Sequence, residues 1–212
     1  DSVAAGIEVV ELVVGSADAF GNPAVGPMGE PTVLIDGVEI SLAAESGDYL
    51  CGDGSERETR CDVRLFDAHD GRVIEVETTL GLRGSSNPFD VVAGPGFDLS
   101  LVMASGTPIA GTPHAVWLTM QDEFGNRIAL TETEIDGVAF ADSHGPIHCV
   151  HTGTALTDRT YSYQCTFERS GAGNTIYASS PGLGVMGSLG TFEVNPGRLT
   201  TVEITRDAAA SV

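Results

Sequence analysis

The chain repeats itself. Asp18-Ala19-Phe20-Gly21-Asn22 returns as Asp122-Glu123-Phe124-Gly125-Asn126, 104 residues later. Cys61 and Cys165 stand at the same spacing, and Cys51 and Cys149 stand 98 apart. Phe89-Asp90-Val91, followed by Gly94-Pro95-Gly96, is echoed by Phe192-Glu193-Val194 and Asn195-Pro196-Gly197. A period of about one hundred residues is the size of a small domain, so the 212 residues read as tandem modules, each closing a modest core of its own. Arrays of such modules usually supply reach, stiffness or adhesion rather than chemistry.

Within each module, short alternating runs are broken every eight to twelve residues by glycine, proline and other turn formers. That is the all-β pattern, and no dozen residues carry a helical stripe. Repeat one, residues 1–91, is expected to place strands at Ile7–Val14, Thr32–Ile35, Val38–Leu42, Arg60–Phe66, Arg72–Thr78 and Phe89–Val92. Repeat two, residues 92–195, follows with Phe97–Met103, His114–Met120, Ile135–Phe140, Ile147–Val150, Tyr161–Phe167, Thr175–Ala178 and Thr191–Val194. Val116, Leu118 and Met120 alternate with Trp117 and Thr119, which sends one face into a core and leaves Trp117 outside or at an edge.

The two repeats do not match at their starts. Repeat two opens with Phe97–Met103 before Ala110-Gly111, whereas the corresponding Ala5-Gly6 has only Asp1–Ala4 before it. At the far end, residues 196–212 contain Arg-Leu-Thr-Thr-Val-Glu-Ile-Thr from Arg198 to Thr205, a surplus opening strand with Leu199, Val202 and Ile204 as its apolar positions. Either the sequence is a segment of a longer array, cut out of phase with its domains, or it is a subunit that lends its last strand to the next one. Donor-strand pairing of the second kind satisfies an open sheet edge and runs head-to-tail.

Net charge is −20, and all ten cations are arginines. Residues 1–91 alone hold 18 acids against 5 arginines. Such a surface repels phosphates, which argues against nucleic acid or an anionic membrane as a direct partner. It fits a solvated, self-repelling exterior, or an appetite for divalent cations or a basic partner. Without lysine, neither an isopeptide staple nor a Schiff base can form. Four cysteines could be free thiols, a metal site or two disulfides, and their repetition on successive strands favours the bridges Cys51–Cys61 and Cys149–Cys165. Bridges imply an oxidising compartment, so an extracellular or cell-surface location is expected, with any signal peptide already removed. No stretch is apolar for long enough to span a membrane as a helix, and no Asn-x-Ser/Thr sequon occurs.

Ala-Gly, an alternating strand and Asp-x-Phe-Gly-Asn together resemble the second strand and turn of bacterial invasin/intimin-type immunoglobulin-like repeats, and equally those of filamin-type repeats. Ser86-Asn87-Pro88-Phe89-Asp90-Val91 and Gly190-Thr191-Phe192-Glu193-Val194 are similar to the closing strand of filamin-type modules, with Asn87 inserted and no proline in the second copy. The resemblance implies two tandem immunoglobulin-like β-sandwiches of about seven strands each. Phe20 and Phe124 are then expected to plug a sandwich end, Gly21 and Gly125 to supply the turn, and Asp18, Asn22, Asp122 and Asn126 to hold the bent backbone. Calcium at a module boundary is the alternative role for these carboxylates.

Signals for chemistry are weak. Gly182-Leu183-Gly184-Val185-Met186-Gly187 fits G-x-G-x-x-G but lacks the following helix, and reads as a loop or irregular edge strand. His144, His148 and His151 flank Cys149, yet adjacent strand residues point to opposite faces and Cys149 is claimed by Cys165, so hairpin histidines are favoured over a metal site. Gly52-Asp53-Gly54-Ser55-Glu56-Arg57-Glu58 reads as a tied hairpin tip or a cation- or partner-binding loop. With no nucleophile elbow or metalloprotease motif, the sequence points away from an enzyme and from a resident cofactor. It points to a structural module of an extracellular fibre, stalk or filament, partnered by neighbouring repeats or by identical subunits head-to-tail. The alternatives are an adhesin recognising a protein or glycan, and an accessory domain of a secreted enzyme.

Overall fold

A computed structural model of the chain describes residues 2–18, 20, 23–24, 30–40, 47–52, 58–155 and 158–198. Gly21, Asn22, Leu199, Val202, Ile204 and the loop 53–57 lie outside the described residues. The first strands are β1 (Ser2–Ala4), β2 (Val9–Gly15), β3 (Pro31–Ile35), β4 (Val38–Glu39), β5 (Gly47–Cys51) and β6 (Glu58–Leu65). β7 (His69–Arg72), β8 (Ile74–Thr78), β9 (Arg83–Ser85), β10 (Phe89–Val92), β11 (Asp98–Met103), β12 (Pro113–Gln121) and β13 (Arg127–Ile128) follow. After a short helix α1 (Glu132–Asp136) come β14 (Ala139–Asp142), β15 (Gly145–Pro146), β16 (His148–Ala155), β17 (Thr160–Thr166), β18 (Gly171–Ser180) and β19 (Val185–Val194). The fold is all-β, built of several small sheets. It divides into unit 1, Asp1–Asp98 with Met120–Ala129, and unit 2, Leu99–Thr119 with Leu130–Val212.

Unit 2 packs the sheet β11-β12-β17-β16 against the sheet β15-β14-β18-β19. Period-two alternation on β12 buries Val116, Leu118 and Met120 and leaves Trp117 exposed, as the sequence pattern requires. On β17 the inward residues are Tyr161, Tyr163 and Cys165. Phe140 of β14 meets Tyr163 across the sandwich, ring centroids 4.8 Å apart. Fully burying such apolar side chains stabilises the unit by about 1.5–3 kcal/mol apiece.

Unit 1 repeats the plan with interruptions. Its sheets are β2-β6-β5, β4-β3-β8-β9 and β1-β10-β7. β18 and β19 of unit 2 are continuous, whereas here Val73 separates β7 from β8 and Ser86-Asn87-Pro88 separates β9 from β10. Pro88 has no N–H to give the ladder and Asn87 adds a residue, so pairing breaks there. Val33, Ile35, Val63, Leu65, Ile74 and Val91 still form one core drawn from all three sheets.

Ala-Gly proves to be a clamp in both units. Ala5 N–H donates to Val92 O at 2.9 Å, at the closing strand, and Gly6 N–H donates to Leu65 O at 2.7 Å, at the end of β6 in the facing sheet. Ala110 and Gly111 do the same with Asn195 O and Phe167 O, at 2.9 and 2.8 Å. Two successive donors thus stitch strands of both layers. Reversing the chain between them takes φ of +68° at Gly6 and +79° at Gly111, a region open to glycine at low cost.

Both disulfides are formed, each between directly opposed residues: Cys51 with Cys61 on β5–β6, and Cys149 with Cys165 on β16–β17. Their sequence spacing is not structural equivalence, however. Counted from the clamp carbonyls Leu65 and Phe167, Cys61 lies four residues back and Cys165 two. A second correction concerns Ile135–Phe140, expected as one strand. Residues 132–136 are helical, because Thr131 and Glu134 form a capping box in which each side chain bonds the other's backbone N–H. The extended chain resumes only at Ala139.

Replacing Gly111 by alanine places a Cβ in open space at positive φ, so denaturant unfolding should show a loss of about 1 kcal/mol. Gly6→Ala should cost at least twice as much, since that Cβ would fall 1.8 Å from the Phe124 ring. Reducing the bridges, which close loops of 10 and 16 residues, should lower stability by about 3 kcal/mol each in the chain-entropy account, read as a drop in melting temperature with reductant.

Candidate functional site

The second Asp-x-Phe-Gly-Asn turn belongs to unit 1, where each residue has a task. Asp122 is 4% exposed. Its Oδ1 accepts from Phe124 N–H and Asn126 N–H, both at 2.9 Å, and its Oδ2 accepts from Gly94 N–H at 2.9 Å and Asn126 Nδ2 at 2.8 Å. A carboxylate offers about four lone-pair positions, and here N–H donors take all four. Asn126 carries the turn onward: its Nδ2 also donates to Phe66 O at 2.6 Å, and its Oδ1 accepts from Ala68 N–H at 2.8 Å. Phe124 stacks on Phe66 with centroids 4.7 Å apart and planes within 12°. Gly125 turns the chain at φ +85°.

The first copy shares one hydrogen bond of that turn but not the packing. Asp18 Oδ1 accepts from Phe20 N–H at 2.9 Å, as Asp122 Oδ1 accepts from Phe124 N–H. Phe20 is 90% exposed, which corrects the expectation that both phenylalanines plug an end. Phe124 gains cover from Phe66 and from the side-chain-free Gly6, and among the described residues no such partner stands over Phe20.

The three histidines are dispersed. His144 sits in the β14–β15 turn, where its N–H donates to Asp142 Oδ1 at 2.8 Å. His148 is exposed on β16, while His151, an odd number of residues along, faces inward. There His151 Nε2 lies 2.9 Å from Gly153 O and 3.1 Å from Thr154 Oγ1. Among the described residues, no group of three or more His, Cys, Asp or Glu side chains is placed to hold a metal ion.

Two tyrosine hydroxyls went unmarked in the sequence reading. Tyr161 OH accepts from Leu130 N–H, and Tyr163 OH donates to Ile135 O at 2.9 Å, so both fasten the segment that carries α1. Burial first, then the charge of Asp136 and the neighbouring Tyr161, pushes the Tyr163 hydroxyl well above its ordinary range, which keeps its proton available for that bond. Their signal was the Tyr-x-Tyr-x-Cys alternation on a central strand, where a buried phenol must find a partner.

Unit 1 also carries a groove of about 300 Å³ between β2 and the pair β8–β9, lined by Leu12, Val14, Ile74, Val76, Gly84 and Ser86, among others. β2 pairs with β6 alone among the described residues, so its other edge opens on this groove. The lining is mainly aliphatic and presents main-chain donors and acceptors along one side, which suits a peptide strand better than a reacting small molecule.

Asp122→Asn replaces acceptors with an amide donor among N–H groups and should lower the unfolding free energy by about 2–4 kcal/mol. Asp18→Asn, on an exposed turn, should change it by less than about 1 kcal/mol. Chemical denaturation of the two variants side by side checks the contrast.

No protein-family model matches the chain, and no curated protein matches it. Some solved structures are similar to it at low identity. A broadly conserved Escherichia coli adhesin, FdeC, is 18% identical at a TM-score of 0.46, with 91% of this chain and 60% of that one covered. Domains 4–9 of the surface-layer protein SbsC are 18% identical at 0.30, over 98% of this chain and 31% of theirs. The D0–D1 domains of intimin are 13% identical at 0.34, over 92% and 94%. The chain therefore spans three-fifths of the adhesin structure and under a third of the surface-layer one. Likenesses this low say nothing of what the chain does.

Proposed function

We propose that the chain is a non-catalytic structural stretch of an extracellular array, in which neighbouring immunoglobulin-like modules follow one another head-to-tail. The observation that carries this reading is the double clamp. Ala5-Gly6 and Ala110-Gly111 make the same pair of hydrogen bonds in their own units, so the repeated residues are spent on closing sandwiches rather than on lining a cleft. The Asp122 turn points the same way, since its carboxylate is taken up by backbone and amide donors that close the turn. Two disulfides support exposure to an oxidising exterior, and a charge of −20 keeps such a surface hydrated and non-adhesive toward anionic membranes. No helix among the described residues is long and apolar enough to cross a membrane.

Antibody labelling of intact source cells, paired with a glycan and matrix-protein binding array, tests the proposal. Surface labelling with a silent array is the expected result. Saturable binding to one glycan or protein would replace the structural reading with that of an adhesin, and label confined to the cell interior would remove both.

A further inference from the structure

Unit 2 keeps its charge away from one of its sheets. β12, β17 and β16 lie side by side and contain no Asp, Glu, Lys or Arg. The corresponding clamped strands of unit 1, β2 and β6, set Glu11 opposite Asp62 and Val13 opposite Arg60, all four exposed. In a chain of net charge −20, the neutral sheet of unit 2 is a surface that two copies can bring together without setting carboxylates against one another.

The shape of that face follows from the alternation. Tyr161, Tyr163 and Cys165 of β17 face the core, so Ser162 and Gln164 face out. Trp117 lies directly opposite Ser162 on one side, and Gly153 lies opposite it on the other. One row across the sheet thus falls from an indole to a hydroxymethyl group to no side chain at all. Trp117 is 37% exposed, and a Cβ on Gly153 would meet no atom within 4 Å. Gly153 is not among the glycines held at positive φ, so its backbone does not demand glycine. The bulge between His151 and Gly153 accounts for the irregular register there but not for the missing side chain. A glycine inside a strand also marks a place where another chain or a ligand comes close. The face therefore bears a knob and, two strands away, a hollow.

A surface that holds both is complementary to itself. Under a two-fold axis, the indole of each copy enters the hollow of the other. The cores of protein interfaces are depleted in charge and enriched in tryptophan, which is the composition of this face. We propose that the β12-β17-β16 face of unit 2 is a contact surface for a second copy of this chain, with Trp117 of each copy seated over Ser162 and Gly153 of the other. This rests on the array reading above and gives neighbouring arrays a lateral contact. Strand spacing and rise give the face roughly 400 Å², against ~800 Å² per side in a standard interface. One pair is therefore weak, and arrays lying side by side gain by multiplying it.

Trp117 is the only tryptophan in the chain, so its fluorescence reports on this face. Sedimentation of the full chain from about 10 μM to about 1 mM, with tryptophan emission and acrylamide quenching recorded alongside, tests the contact. The wild type should approach a dimer as concentration rises, with Trp117 emission moving to shorter wavelength and its quenching falling. Added salt should strengthen the association, because it screens the repulsion between two chains of charge −20. Gly153→Val fills the hollow where the free fold has room and favours the strand. Gln164→Glu puts a charge at the centre of a face that has none. Each variant keeps the reporter and should weaken association by about tenfold or more. A wild type monomeric throughout, association that leaves Trp117 quenching unchanged or weakens with salt, or a Gly153→Val chain that associates like the wild type overturns the proposal. So does a neutral oligosaccharide from the binding array that protects Trp117 in place of a second copy. A monomeric wild type that labels the cell surface and binds nothing on the array removes the lateral contact and leaves the array reading standing. A chain that dimerises through Trp117 but is confined to the cell interior keeps the contact and removes the array reading.

Discussion

Everything in each unit hangs on two backbone donors. A β-sandwich has to register two sheets that share no hydrogen-bond ladder, and apolar packing alone tolerates sliding. The Ala-Gly pair removes that freedom by sending one N–H to the closing strand and the next to a strand of the facing layer. Once those bonds are set, Val91 and Val194 are held inward at the end of each closing strand, both almost completely buried. The disulfides then tie the next strand over, β5 to β6 and β16 to β17. Clamp and bridge thus meet at one strand of each unit, β6 or β17, and stabilise by different means, one by native hydrogen bonds and the other by limiting the unfolded chain.

The turn around Asp122 shows how a polar motif can serve packing. Four donors on one buried carboxylate would be costly to strip from water if any were left unmatched, yet here each finds its acceptor. Asn126 then hands the same network to Phe66 and Ala68, and the Phe124 ring covers Gly6 at the clamp. In unit 1, therefore, the glycine that permits the clamp's backbone turn is also the glycine that lets an aromatic ring close over it. Gly187 in unit 2 does similar service for β11. Close approach, more than turn geometry, is what fixes both positions.

Much of the strand pattern was legible because alternation and turn residues are local signals. Phe89–Val92 and the β12 alternation were read correctly from residue type alone. Ile135–Phe140 was misread as one strand because its apolar ends suit either state; the Thr131–Glu134 capping box, visible in the sequence, was the signal that decided it. Short pairings such as β1 with β10 and β9 with β8 escaped notice because three residues of Ser-Val-Ala or Arg-Gly-Ser carry no period of their own. Such segments become strands only because a neighbour offers a ladder.

By itself the sequence determined that the chain is all-β, that it repeats, that its cysteines pair on neighbouring strands and that Asp-x-Phe-Gly-Asn makes a turn. Each of these follows from a period of two, a requirement for positive φ, or a side chain bonding its own backbone. Only the tertiary structure decided which copies are equivalent. It separated Phe124 from Phe20 and moved the two bridges out of register. The physical reason is common to both. Residue type fixes what a position can tolerate, but cover comes from whatever strand or ring lies across from it, and that partner is far away in the chain.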